Sequence, residues 1–142
     1  MATVTPDIIN SSASLNGPAA IAFDALGNQW VANCFGSTLT QFAPLAASGS
    51  PAPLVVLTST TVTTSPGSPP SLACPEGLDF DKKGNLWVSN AISDNAGSIA
   101  EFTSAQLAAS GSPLPAVFLD SNPDATNISQ PVLLSFGPAI GS

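Results

Sequence analysis

Hydrophobic residues in this chain gather in short runs bounded by Pro, Gly, Ser, Asn and Asp, the pattern of brief β-strands. One unit places strands over 21–24, 30–31, 39–42 and 54–57, and a second over 78–81, 87–88, 99–102 and 116–119. Between the first two strands of each unit stand Asp24-x-x-Gly27-Asn28 and Asp81-x-x-Gly84-Asn85. This is hairpin-turn chemistry: glycine supplies positive φ, and the Asp side chain accepts from backbone amides just beyond it. Asp24 and Asp81 are therefore read as turn formers. Residues 104–110 predict one or two helical turns with Ser104 as N-cap.

The two units are copies of one another. Residues 17–33 (GPAAIAFDALGNQWVAN) return without a gap as 74–90 (CPEGLDFDKKGNLWVSN), so that Pro18 and Pro75, Phe23 and Phe80, and Trp30 and Trp87 keep one offset of 57. LAASGSP at 45–51 recurs identically at 107–113, now offset by 62, because the second copy has extra residues in 91–97 and near Ser104, where a loop tolerates them. A third copy opens at 131–136 (PVLLSF), and residues 6–9 match 53–56 and 115–118, each a proline leading into a fourth strand. With the strands of a unit lettered A to D, the chain reads D, ABCD, ABCD, A. Trp30 and Trp87 sit mid-strand with Val after them, and their expected role is packing between units.

Units of this length that cannot bury their faces alone are the signature of repeat architectures, and four strands per unit indicates propeller blades. The run PEGLDFDKKGNLWVSN at 75–90 resembles the NHL repeat and the related repeats of SMP-30-like lactonases and streptogramin-lyase-like propellers. The expected fold is all-β: a β-propeller fragment with two complete four-stranded antiparallel blades plus flanking strands of two further blades. Its divisions are an outer strand of a preceding blade (1–16), a blade (17–59), a loop (60–73), a second blade (74–121) and the start of a third (122–142). Propellers close with roughly 4 to 8 blades. Either the chain is a piece of a longer propeller protein, the favoured reading, or several copies build one ring with residues 6–10 of one completing a blade of another.

The resemblance implies that first strands line a central channel with ligands at its mouth. The residue after the leading proline is Ala19, Glu76 and Val132 in the three copies, so Glu76 is a carboxylate where its repeat mates are apolar. Asn33 and Asn90 end the second strands and return to the same mouth, because a hairpin reverses the chain once. By similarity to the lactonases, Glu76 and Asn90 would ligate a divalent cation, and oxygen-only ligation suits Ca²⁺. Against this, no Asp stands at a comparable position, and Asn33 and Asn90 also read as strand-terminating hydrogen-bond partners. Cys34 follows the second strand of one blade and Cys74 precedes the first strand of the next, which puts them at one mouth on adjacent blades. They form either a disulfide closing a loop of about 40 residues, contributing roughly 3 to 4 kcal/mol, or a pair of free thiols.

Composition narrows the function classes. There is no histidine, which removes the commonest general base, Ser-His and Cys-His pairs and the usual zinc ligand. Charged residues make up 8%, and the net charge of −7 leaves only Lys82 and Lys83 to meet phosphates, so nucleic acid is an unsuitable partner. The densest apolar run, 53–57, is far too short to span a bilayer. No signal peptide is visible in 1–10, yet few charges, abundant Ser, Thr and Pro, and two cysteines favour an extracellular or periplasmic protein. The expected role is a binding or scaffold module for an unknown small molecule or protein, completed by missing blades or by self-association. The alternative is part of a cation-dependent lactonase, hydrolase or lyase.

Overall fold

The computed structural model describes residues 10–44, 48–62, 70–93, 96–120, 128 and 131–136, excluding the side chains of 92 and 93. Among these residues eight strands form: β1 (Pro18–Phe23), β2 (Gln29–Asn33), β3 (Thr38–Phe42), β4 (Val55–Thr58), β5 (Pro75–Phe80), β6 (Leu86–Ser93), β7 (Ala96–Phe102) and β8 (Val117–Asp120). They make two four-stranded antiparallel meanders, in the orders β1-β2-β3-β4 and β5-β6-β7-β8. Neither sheet closes on itself. The two keep the same register: Ala22 faces Trp30 as Asp79 faces Trp87, and Val31 faces Thr40 as Val88 faces Ala100. Each also has the same bulge, with one unpaired residue after the leading proline, Ala19 in β1 and Glu76 in β5.

The β1–β2 and β5–β6 turns work as their sequences require. Asp24 Oδ1 accepts from the amides of Leu26 and Asn28, both at 2.9 Å, and Asp81 Oδ1 accepts from Lys83 (2.8 Å) and Asn85 (3.0 Å). Gly27 and Gly84 adopt φ of +79° and +78°, a region closed to most L-residues. The second Asp oxygen reaches the indole Nε1 of Trp30 in one unit and of Trp87 in the other, both at 3.4 Å. The same carboxylate thus ties the turn to the tryptophan that leaves it.

The core lies between the sheets. Trp30, Ala32, Leu39, Val55 and Leu57 of the first meet Leu78, Leu86, Val88, Ala100 and Phe102 of the second. Trp30 packs edge-on to Phe80, with ring centroids 6.5 Å apart and planes at 68°. Where the third copy begins, residues 131–136 belong to neither sheet but lie on the outer face of the second, and Phe136 meets Trp87 edge-on at 5.8 Å and 61°. The Phe136 amide donates to Asp79 Oδ2. Trp30 to Phe80 and Trp87 to Phe136 are one contact made twice, a unit apart.

A second contact also repeats. Gly111 in the β7–β8 loop forms a parallel bridge with Leu57 on the edge strand β4, where Thr58 N donates to Gly111 O at 2.9 Å. Gly49 in the β3–β4 loop forms the same bridge with Asn10, and Ser11 N donates to Gly49 O at 2.8 Å. Asn10 and Ser11 therefore hold the places of Leu57 and Thr58. The fourth-strand expectation over 6–9 lies outside the described residues, as do 45–47 of the repeated LAASGSP, 63–69 of the expected loop and most of 121–142.

The helical expectation over 104–110 is corrected to a 3-10 turn over Gln106–Ala108. Thr103 rather than Ser104 caps it: Gln106 N donates to Thr103 Oγ1 at 3.4 Å, while Gln106 Oε1 accepts from Thr103 N at 2.8 Å. This is the reciprocal Thr-x-x-Gln capping pair, and it pre-empts Ser104, whose amide is donated to Asn85 Oδ1 at 3.2 Å.

Candidate functional site

The sheet end where β1 and β5 begin gathers the candidate site residues Glu76, Asn33, Asn90, Cys34 and Cys74. Gly17 precedes β1 with φ of +63°; its repeat mate Cys74 precedes β5 with φ of +48°. The geometry demands a left-handed residue, and Cys74 adopts it against an ordinary side-chain cost of roughly 1 to 2 kcal/mol. The same backbone bond follows in each unit: Cys34 N to Gly17 O at 2.9 Å, and Ala91 N to Cys74 O at 3.1 Å. Cys34 and Cys74 are joined by a disulfide that links the end of β2 to the start of β5 across the sheet interface.

Asn33 and Asn90 are fully buried. Asn33 Oδ1 accepts from Asn16 N at 3.0 Å, and its Nδ2 donates to Thr40 Oγ1 at 3.1 Å and Thr38 Oγ1 at 3.3 Å. Asn90 does the same work, accepting from Ala73 N at 3.1 Å and donating to Ser98 Oγ at 3.0 Å and Ser71 O at 3.2 Å. Both amides fasten the loop entering β1 or β5 to the third strand of the same sheet. Asn33 closes β2 as expected, but Asn90 does not end its strand, because the extra residues of the second copy carry β6 on to Ser93; both side chains act as buried hydrogen-bond partners of the loop entering their sheet. A buried amide without partners would cost roughly 1 to 3 kcal/mol.

Glu76 stands half-buried on the bulge of β5, with Oε1 3.6 Å from Cys74 Sγ. A disulfide sulfur has no proton to donate, so this is a contact and not a hydrogen bond. Both sulfurs and a Glu76 oxygen lie within 4.8 Å of one another. With the sulfurs bonded to each other they offer no thiolate, which leaves Glu76 as the one available ligand of this group among the described residues. The bulge is common to both sheets, so Glu76 owes its position to the repeat.

A cavity of about 440 Å³ sits at the opposite end, between the two hairpin turns, lined among others by Asp24, Leu26, Trp30, Gln41, Phe80 and Lys82. Only the tertiary pairing of the turns creates it, and no motif in the chain announced it. Burial disfavours ionisation of Asp24, but the hydrogen bonds from Asn28, Leu26 and Gln41 outweigh it and hold the carboxyl below its ordinary 3.8. Asp81 behaves alike: slight desolvation is overcome by bonds from Asn85, Lys83 and Trp87. Since both oxygens of each carboxylate already accept protein donors, the pair serves the turns. A second cavity, of about 310 Å³, lies on the outer face of the first sheet, against Leu15, Pro18, Ile21 and Val31.

No family model, curated protein or solved structure matches the chain. Among the described residues, no helix is long and apolar enough to cross a membrane.

Proposed function

We propose that the chain is a run of NHL-like propeller blades acting as a binding or scaffold module, a section of a longer propeller protein that further blades complete. The repeated interface carries this reading. Trp30 meets Phe80 and Trp87 meets Phe136, while Leu57 bridges Gly111 and Asn10 bridges Gly49, so units stack by one operation at both the inner and the outer edge. An operation that repeats builds an array, and a propeller is the array that four-stranded meanders form around their first strands. The disulfide ties one unit to the next, and the buried asparagines and Asp turns brace each unit internally, which suits a rigid scaffold that presents its ends and loops to a partner.

The alternative, a cation-dependent lactonase or lyase, draws its support from Glu76 alone, since Asn33 and Asn90 spend their oxygens on backbone amides. Calcium titration by calorimetry, paired with a lactone-hydrolysis assay on the oxidised chain, separates the two readings. The scaffold reading expects no saturable heat and no turnover. Calcium binding that disappears in Glu76→Gln, or measurable hydrolysis, would replace it with the enzyme.

A further inference from the structure

At the end where β1 and β5 begin, the chain departs from its own repeat in a way that gains metal-ligating atoms. With the offset of 57, the mate of Cys34 is Ala91, that of Cys74 is Gly17 and that of Glu76 is Ala19. The repeat therefore asks for no sulfur and no carboxylate at these places. The fold nonetheless brings all three together: both sulfurs and one Glu76 oxygen lie within 4.8 Å of one another, each residue half-buried. Their placement does not depend on the S–S bond. Cys34 N donates to Gly17 O, Ala91 N donates to Cys74 O, and Trp30 packed on Phe80 holds the sheets against each other. Glu76 stands on the β5 bulge with Oε1 3.6 Å from Cys74 Sγ.

We infer that, once the disulfide is reduced, Cys34, Cys74 and Glu76 bind one Zn²⁺, which replaces the S–S bond as the link between the two sheets. A dithiol breaks that bond by supplying two electrons and two protons. It closes to its own disulfide, and Cys34 and Cys74 become thiols. Binding releases both thiol protons to water and surrounds the ion with two thiolates and a carboxylate. The cation offsets the repulsion among three anionic groups held this close. Tetrahedral zinc, with bonds of about 2.0 to 2.3 Å, spaces its ligands roughly 3.3 to 3.8 Å apart, a spacing the group reaches when the sulfurs are no longer bonded. Thiolate ligands select zinc over calcium or magnesium, and the fourth position is left to water. The site goes beyond the scaffold reading and belongs to the reduced chain, so calcium titration of the oxidised chain does not probe it.

The test reduces the full chain with a dithiol, removes the dithiol by anaerobic desalting, and titrates with zinc chloride by calorimetry. A parallel titration with cadmium chloride counts thiolates by sulfur-to-metal charge-transfer absorption. The reduced wild type should take one ion per chain with two thiolates per ion, and zinc should raise its melting temperature. The oxidised chain should give neither the saturable heat nor the absorption. Glu76→Gln, which keeps both thiols, should weaken zinc binding by at least about tenfold, the least that even a partner outside the ligand set is worth. Cys34→Ser should lose the saturable heat. Near-ultraviolet circular dichroism follows the fold of every sample: if reduction alone unfolds the chain, zinc must restore the spectrum, and failure to do so overturns the inference. Zinc binding that is unchanged in Glu76→Gln, or an ion shared by two chains through four thiolates, overturns it equally.

Discussion

Cys74 occupies a backbone position that its repeat mate fills with Gly17, so removing the disulfide from its two ends should not cost the same. The bond closes a loop with a sequence separation of 40. The chain-entropy estimate gives it roughly 4 kcal/mol, and Cys34→Ala should lose all of that. Cys74→Gly loses the same cross-link but relieves a non-glycine residue at φ of +48°. Left-handed backbone costs such a residue roughly 1 to 2 kcal/mol, of which the greater chain entropy of glycine takes back a part. Cys74→Gly should therefore be destabilised by about 3 kcal/mol, about 1 less than Cys34→Ala. Urea unfolding of the two variants beside the oxidised wild type, fitted with a common slope, measures both differences. At roughly 3 °C per kcal/mol for a domain of this size, the two melting temperatures should differ by a few degrees. Equal losses would mean that the left-handed residue is not strained. A larger loss in Cys74→Gly would mean that Cys74 contributes contacts beyond the bond, and either result refutes the reasoning.

Trp30→Ala should cost roughly 3 to 5 kcal/mol by opening a cavity between two complete sheets, whereas Trp87→Ala, whose face among the described residues bears 131–136 and no second sheet, should cost less than half of that; thermal unfolding compares them. Gly77 faces Ser89 across β5–β6 where Ala20 faces Ala32 across β1–β2, and a Cβ at residue 77 would lie 2.5 Å from Ser89 Oγ and 2.9 Å from Val132 O. Gly77→Ala should thus destabilise by roughly 1 to 3 kcal/mol, and Gly77→Ala with Ser89→Ala should recover part of that, since Ser89 Oγ is buried without a partner; a double-mutant cycle reads the coupling. Asp24 and Asp81 have native pKa values below the ordinary 3.8. Their stabilisation is therefore present above about pH 4 and lost as pH falls through the lower native values. The double variant with both replaced by Asn should show a flatter melting-temperature profile below pH 4 than the wild type.

Much of this architecture was legible in the chain because it is written twice. The offset of 57 aligned the prolines, turns and tryptophans, and local chemistry did the rest: Asp-x-x-Gly-Asn closes its own turn whatever surrounds it, and alternating apolar runs pair with their nearest neighbours. The paired carboxylate turns and the four-strand units could be read on that ground. Thr103 was missed as the cap of the 3-10 turn, although Thr-x-x-Gln was in view, because Ser104 offered an equally good local signal.

The roles of Asn33 and Asn90 could not be read from sequence, since an amide at a strand end serves a ligand or a loop equally well until burial decides. Cys34 and Cys74 could be placed at one end of adjacent units, but their bonding depended on how the sheets met. Contacts within a unit follow from chain connectivity at short range. What Asn33 and Asn90 do depends on how the entry loop of each sheet folds back onto its third strand, and what the two sulfurs do depends on how one sheet lies on the next. That arrangement is set by side-chain packing over the whole interface, with Trp30 against Phe80 at its centre, and only the tertiary structure carries it.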